Sequence, residues 1–232
     1  MEVADLPIHK KQYKEVSFAN DVLTDLKEWR SSFILYKYAL DEINTKLRIL
    51  NEDFQHAHAH NPIEHIKSRV KEPESIIKKL QRKGLEITPE AAREHIHDIA
   101  GVRITCSFLS DIYHIHQMLQ EQDDIRVLKV KDYIQHPKPN GYKSLHLIVE
   151  IPVFLPSRTE RVKVEVQIRT VAMDFWASVE HKIYYKYDQA VPSHLKQELK
   201  ETAELVHYLD HKMVNLKKDV EQLSHLTKEG VS

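Results

Sequence analysis

The sequence predicts an α/β (α+β) domain, a mixed sheet of about five strands flanked by helices, with long helices toward the N- and C-terminal ends. Three observations carry this. Apolar residues recur at spacings of three and four near both ends of the chain, the period of amphipathic helices. The middle alternates short β-branched runs with short helical stretches, punctuated by Gly, Pro, Asn and Asp. Finally, Arg161–Arg169 reads RVKVEVQIR, with Val162, Val164, Val166 and Ile168 alternating with Arg161, Lys163, Glu165, Gln167 and Arg169, which marks a strand buried on one face and open on the other.

In chain order, the first stripe runs through Phe18, Val22, Leu26, Trp29, Phe33, Tyr36, Leu40, Ile43, Leu47, Leu50 and Phe54. Residues 65–71 alternate as a strand, with His65, Lys67, Arg69 and Lys71 on one face. Pro73 near the first turn and Gly84 beyond the last bound a helix at 74–83. Thr88-Pro89-Glu90-Ala91 opens a short helix, with Thr as the cap and Pro at the first helical position. Residues 99–106 are apolar and β-branched, a buried strand, and a helix at 110–121 follows behind Ser110. Strands are expected near 125–134, 144–152 and 161–169, with Pro137, Pro139, Asn140 and Gly141 forming a loop between the first two. A helix at 170–186 follows, and the second stripe runs through Leu195, Leu199, Thr202, Val206, Leu209, Met213, Leu216, Val220 and Leu223. Each stripe needs a partner: the other stripe, the core or a second copy of the chain, and these are compatible. The expected divisions are a tail at 1–17, a helical region at 18–60, the sheet-bearing domain at 61–190 and a C-terminal helical region at 191–232.

Composition removes several classes. The net charge is −1, so the molecule lacks the overall basic field of a duplex binder, and no DNA partner is expected. Charge is nevertheless patchy. Seven Lys or Arg fall between His65 and Gly84, and five between Arg126 and His146, which suits compact anions. The single cysteine, Cys106, excludes an internal disulfide and a thiolate zinc site, and its apolar surroundings make it a core residue. There is no apolar leader and no run near the ~18 residues of a membrane span, so a soluble cytoplasmic protein is expected. With Gly only at 84, 101, 141 and 230, neither a glycine-rich phosphate loop nor a dinucleotide fingerprint exists, and any phosphate must be held by side chains.

Three stretches could carry chemistry. In SRVKEPESIIKKLQRK (68–83) a strand delivers Arg69 and Lys71, and a helix N-terminus bearing Ser75 points back toward them. Lys79 and Arg82 share a face with Ser75. A solvated basic helix accounts for the helical cations equally well, but not for their alignment with Arg69 and Lys71. In HDIAGVRI (97–104), Asp98 precedes a buried strand, where a carboxylate suits either a magnesium ion completed by phosphates or the capping of a turn. His97-Asp98 also mimics a metal phosphohydrolase dipeptide, but the further His and Asp ligands are missing. In HPKPNGYKSLH (136–146), Asn-Gly turns the chain so that Tyr142, Ser144 and His146 project from one face while Leu145, Leu147 and Val149 go to the core. Tyr142 beside Lys138 and Lys143 reads as a base-stacking platform, or as a tyrosine packed on its own loop. His56, His58 and His60 are two apart and share no helix face, so they form no metal site on a helix.

Together with VEVQIRT and MDFWASVEHKIYYK, and with KDYIQHPKPNGYKSLH in full, these blocks resemble RelA/SpoT-type (p)ppGpp synthetases in order and spacing, specifically single-domain small alarmone synthetases of the RelP type. The likeness covers roughly residues 20–215, and at 232 residues the hydrolase and regulatory domains of the long family members are not expected. The resemblance implies a nucleotidyltransferase-like sheet, a homotetramer, and Mg²⁺-dependent transfer of the β,γ-pyrophosphate of ATP to the 3′-hydroxyl of GDP or GTP in the bacterial stringent response. Carried over by motif, Arg69, Lys71, Ser75, Lys79 and Arg82 would hold ATP, and Arg69 and Arg103 would sandwich the adenine. Asp98 and Glu165 would bind magnesium, and Glu165 would activate the hydroxyl. Tyr142 would stack on guanine, with Lys138, Asn140, His146 and Gln167 completing the acceptor site. Lys131 lies in Lys129-Val130-Lys131-Asp132, where the family often has Arg-x-Lys-Asp; the departure leaves open which acceptor is preferred. Two rival readings remain from the residues alone. A nucleotidyltransferase would show two acids one residue apart on a strand, whereas Glu165 is followed by Val166 and Gln167. A nucleotide- or RNA-binding module would not need both Asp98 and Glu165.

Overall fold

The computed structural model describes the backbone of residues 8–57, 61–186 and 191–229, and the side chains of 27–57, 61–183 and 191–223. Five strands form one mixed sheet: β1 (Ile63–Val70), β2 (Ala100–Cys106), β3 (Arg126–Asp132), β4 (Leu145–Leu155) and β5 (Arg158–Thr170), in the order β1-β2-β5-β4-β3. β5 is central, parallel to β2 and antiparallel to β4, and the outer pairs are antiparallel. The helices are α1 (Ile8–Ala57), α2 (Pro73–Arg82), α3 (Pro89–His95), α4 (Leu109–Gln120), α5 (Val171–Lys186) and α6 (Ser193–Glu229). The expected mixed sheet with long terminal helices is therefore borne out.

Sequence chemistry accounts for most boundaries. Thr88 Oγ1 accepts the Ala91 N–H at 3.1 Å and caps α3 as its position predicts. β3 ends two residues early because Asp132 Oδ1 takes the N–H groups of Ile134 (2.8 Å) and Gln135 (3.0 Å) and turns the chain. β4 and β5 run past their expected ends and meet in a tight hairpin, Leu155 opposite Arg158. Pro152 is tolerated inside β4 because it lies beyond the last β3 pairing, Arg126 with Glu150, where that side of β4 is an edge. Helical backbone begins at Ile8, ahead of the expected boundary at 18, while Phe18, Val22 and Leu26, His58 and His60 fall outside the described side chains.

The two terminal stripes have different fates. Tyr36, Ala39, Leu40, Ile43 and Leu47 of α1 are buried against the sheet, in one core with Val164, Val166 and Ile168 of β5 and with Ile76, Leu80, Ile112 and Leu119 of the shorter helices. Cys106 lies in that core, and burial pushes its thiol well above the ordinary range, which makes it inert. The start of α6 packs on α5 through Leu199 and Ala203 against Trp176 and Ala177, and Trp176 Nε1 donates to the Leu199 carbonyl at 3.0 Å. Further along, Leu209, Met213 and Leu216 are exposed. Among the described residues no helix is long and apolar enough to cross a membrane.

Candidate active site

Alternation on β5 and its central place in the sheet build the site. Odd-numbered side chains face away from the core, and the register lines them up with their neighbours: Lys67, Arg103, Gln167, His146 and Lys131 form one row across the sheet, and Arg69, Gly101 and Glu165 the next. A cleft of about 310 Å³ opens over these rows, lined by Arg69, Lys71, Asp98, Arg103, Glu165 and Gln167 among others. A larger cavity of about 440 Å³ lies between α1, α3 and the start of β5. There Glu90, Glu94 and Glu150 offset Arg93, Arg161 and Lys163, so it lacks the net positive field that phosphates need.

One half of the cleft is a cluster of cations around one acid. Lys71 Nζ and Lys79 Nζ each lie 2.8 Å from a different oxygen of Asp98. Burial pushes this carboxyl up, but the two lysines outweigh it and hold the group below the ordinary range, so Asp98 is ionised. Arg69 stands exposed at the rim, and Arg103 is half-buried with Nη1 3.3 Å from Asp174. The Arg103 Nε is buried with no partner among the described residues, which leaves a donor for an incoming group. Ser75 and Arg82 are not brought here. Both are exposed outside the cleft lining, the Ser75 N–H is spent on the Glu72 carbonyl at 3.0 Å, and Glu72 and Glu74 make the start of α2 a poor anion site.

The other half is a chain of hydrogen bonds. Glu165 accepts from Gln167 Nε2 at 2.8 Å and lies 3.5 Å from His146 Nδ1. Burial raises its pKa, but His146 and Gln167 together hold it below the ordinary range, against a smaller opposing push from Asp98. The Tyr142 hydroxyl bridges His146 Nε2 (2.8 Å) and Arg169 Nη2 (2.5 Å), and Arg169 also donates to Gln167 Oε1 at 2.9 Å. One assignment satisfies every group: Arg169 donates to the Tyr142 oxygen, the Tyr142 O–H donates to Nε2, and Nδ1–H faces Glu165. Lys138 Nζ sits 4.5 Å from the Tyr142 ring centre and 4.8 Å from that of Tyr133. Tyr142 also packs partly against the α5–α6 cluster, in line with the packing reading.

Asn140 shapes the loop. Its Oδ1 accepts the Tyr142 N–H at 3.2 Å and its Nδ2 donates to Glu180 at 3.0 Å, so its amide is committed to the turn. Gly141 follows with φ +88°, and a Cβ there would lie 2.6 Å from that of Ala203, so only glycine fits. Ser144 is buried beneath the site, donating to the Ile168 carbonyl at 3.1 Å, rather than projecting from the loop. Lys131 is exposed on β3, opposite His146. Sequence reasoning missed Arg169, Asp174 and Tyr133. Arg169 was visible as the last polar position of an alternating strand, but alternation cannot separate a solvated base from one buried at 5% exposure.

Asp98 and Glu165 suit a magnesium ion that keeps waters and takes phosphate oxygens from its ligands; no cluster of three or more His, Cys, Asp or Glu among the described residues offers a complete protein cage.

The chain is similar to known proteins along most of its length. The pattern defining the "Region found in RelA / SpoT proteins" matches residues 68–190. GTP pyrophosphokinase YwaC of Bacillus subtilis is 58% identical over 206 residues, 89% of this chain and 98% of that protein. The crystal structure of small alarmone synthetase 2 from Bacillus subtilis superposes with a TM-score of 0.76 at 58% identity, covering 83% of this chain and 99% of that one. Small alarmone synthetase 1 from the same organism, bound to its product pppGpp, matches with a TM-score of 0.76 at 36% identity, covering 84% of this chain and 98% of that one.

Proposed function

This chain belongs to the RelA/SpoT family, and from that premise we propose how it works as a GTP pyrophosphokinase, a small alarmone synthetase of the RelP type that makes (p)ppGpp. The observation that carries the mechanism is one cleft in which two ionised carboxylates, Asp98 and Glu165, meet cations from β1, α2 and β2. ATP would lie over Arg69, Lys71, Lys79 and Arg103, with its adenine against the two arginines. The guanine nucleotide, GDP or GTP, would lie on the other side with its base on Tyr142 and its phosphates near Lys138 and Lys131. Magnesium, held by Asp98 and Glu165, would supply charge neutralisation for the transferred group.

Glu165 accepts the proton of the 3′-hydroxyl, whose oxygen attacks the β-phosphorus of ATP. A new O3′–Pβ bond forms, the bond from Pβ to the bridging α–β oxygen breaks, and AMP leaves with that oxygen. The depressed pKa keeps Glu165 ionised at neutral pH, and the hydrogen bond from Gln167 fixes its orientation. Lys71 and Lys79, which neutralise Asp98, would also meet the developing phosphate charge.

Homologues of this chain have been crystallised with pppGpp and with AMPCPP, which supports a two-nucleotide cleft. The exposed Leu209, Met213 and Leu216 of α6 support self-association, for which we propose a homotetramer, checked by light scattering. The activity belongs in the cytoplasm, where both nucleotides are found. Incubation with ATP labelled at the β-phosphate, GDP and Mg²⁺ tests the reaction. The expected products are AMP and labelled guanosine tetraphosphate; labelled pyrophosphate with an adenylylated product, or binding without turnover, would overturn it.

A further inference from the structure

Asp174 sits in the first turn of α5, a helix that starts directly after β5 and whose Met173 N–H is capped by Thr170 Oγ1 at 3.1 Å. A single carboxylate oxygen, Oδ1, lies 3.3 Å from Arg103 Nη1 and 3.2 Å from Arg169 Nη1. The two arginines stand on the adjacent parallel strands β2 and β5, where Arg103 pairs with Gln167 and Thr105 with Arg169. They serve different halves of the cleft. Arg103 lines the side assigned to ATP, while Arg169 is buried and grips the Tyr142 hydroxyl on the acceptor side.

Two guanidiniums this close repel. Burial first and the Arg169 charge next pull the Arg103 pKa down, and Asp174 opposes both. One oxygen that neutralises both arginines ties their positions together, so displacement of either one costs the contact to the other.

We propose that Asp174 is a positioning residue that couples the two nucleotide sites. The inference rests on the assignment of the two halves given above. A base settled on Tyr142 holds Arg169, which holds Asp174, which presets Arg103; an adenine against Arg103 acts in reverse. Linkage requires the effect to be reciprocal, each nucleotide raising the affinity for the other by the same factor.

Calorimetric titration of a non-hydrolysable ATP analogue into the full chain with Mg²⁺, with and without saturating GDP, reads that factor directly. In the wild type GDP raises the analogue affinity by about fivefold or more. In Asp174→Asn the factor falls to about one, and Asp174→Glu recovers part of it. A merely structural residue would instead lower both affinities and leave their ratio intact. Should Asp174→Asn fail to fold, Asp174→Ser, which leaves both arginines in place, cuts the same link, and its factor also falls to about one. A factor of one in the wild type with both nucleotides bound, or an undiminished factor in the folded variants, overturns the coupling alone. Failure of the wild type to bind either nucleotide overturns the assignment of the halves as well.

Discussion

The two faces of β5 are made from one alternating run yet are held together by different physics. On the core face, Val162, Val164, Val166 and Ile168 are buried, and each is stabilised by apolar area and tight packing, which need only the right size and hydrophobicity. On the cleft face, Glu165, Gln167 and Arg169 are ordered by partners from β4, the loop before it and α5: His146, Tyr142 and Asp174. The core face is therefore tolerant of sequence and intolerant of cavities, while the cleft face is the reverse.

The largest effect that would sharpen this contrast is on stability. Ile168→Ala should cost about 2–5 kcal/mol of unfolding free energy by denaturant titration while the folded fraction keeps its turnover. A loss below about 1 kcal/mol would mean that the core face is not closely packed. The companion change, Glu165→Gln, should leave the denaturation midpoint nearly unmoved and lower kcat on the order of a hundredfold or more, with nucleotide binding retained. Near-normal turnover would remove Glu165 as the base. Tyr142→Ala should weaken guanine-nucleotide binding by about 1–3 kcal/mol in titrations and spare ATP. Equal losses for both nucleotides would break the division of the cleft.

The smallest effect probes a place where the buried face meets an acidic partner. Thr170, on the same side as Ile168, donates to Asp210 of α6 at 2.9 Å, and burial pushes the Asp210 carboxyl up to about 6. Because the folded value is raised above the ordinary 3.8, the stabilising contribution is present at low pH and is lost as pH rises through about 6. Asp210→Asn keeps an oxygen for the Thr170 hydroxyl and avoids that loss. The variant should be more stable by about 1 kcal/mol above neutral pH, with the difference vanishing near pH 4. A variant less stable at pH 8 would contradict this sign.

Much of this was legible because it is local. The alternation of 161–169, the α1 stripe from Trp29 onward and the Thr88 cap each depend on residues within a few positions of one another, and each forms as expected. Partners brought from afar were less legible. Nothing near Asp98 announces that Lys71 and Lys79 will converge on it from separate elements, and nothing near Arg169 announces its burial beneath Tyr142. Asn140 entered the expected acceptor site through the family resemblance alone, and spacing does not reveal that its amide oxygen holds the Tyr142 N–H in a turn. Ser75 and Arg82 share a helix face with Lys79 in spacing, yet only Lys79 reaches the cleft, since the tilt of α2 is set by Ile76 and Leu80 in the core.

The strand order β1-β2-β5-β4-β3 bears on how the molecule is born at the ribosome. The strand that joins the two half-sheets is the last of the five to be synthesised, so a nascent chain halted before Arg158 exposes the unpaired edges of β2 and β4. We expect such stalled chains to be protease-sensitive and prone to aggregate, with protection arriving only once Thr170 has emerged; protection of shorter chains in a stalled-ribosome proteolysis series would disprove it. No product of translation that ends before β5 could then synthesise the alarmone, because the carboxylate assigned to the chemistry arrives on the strand that closes the sheet.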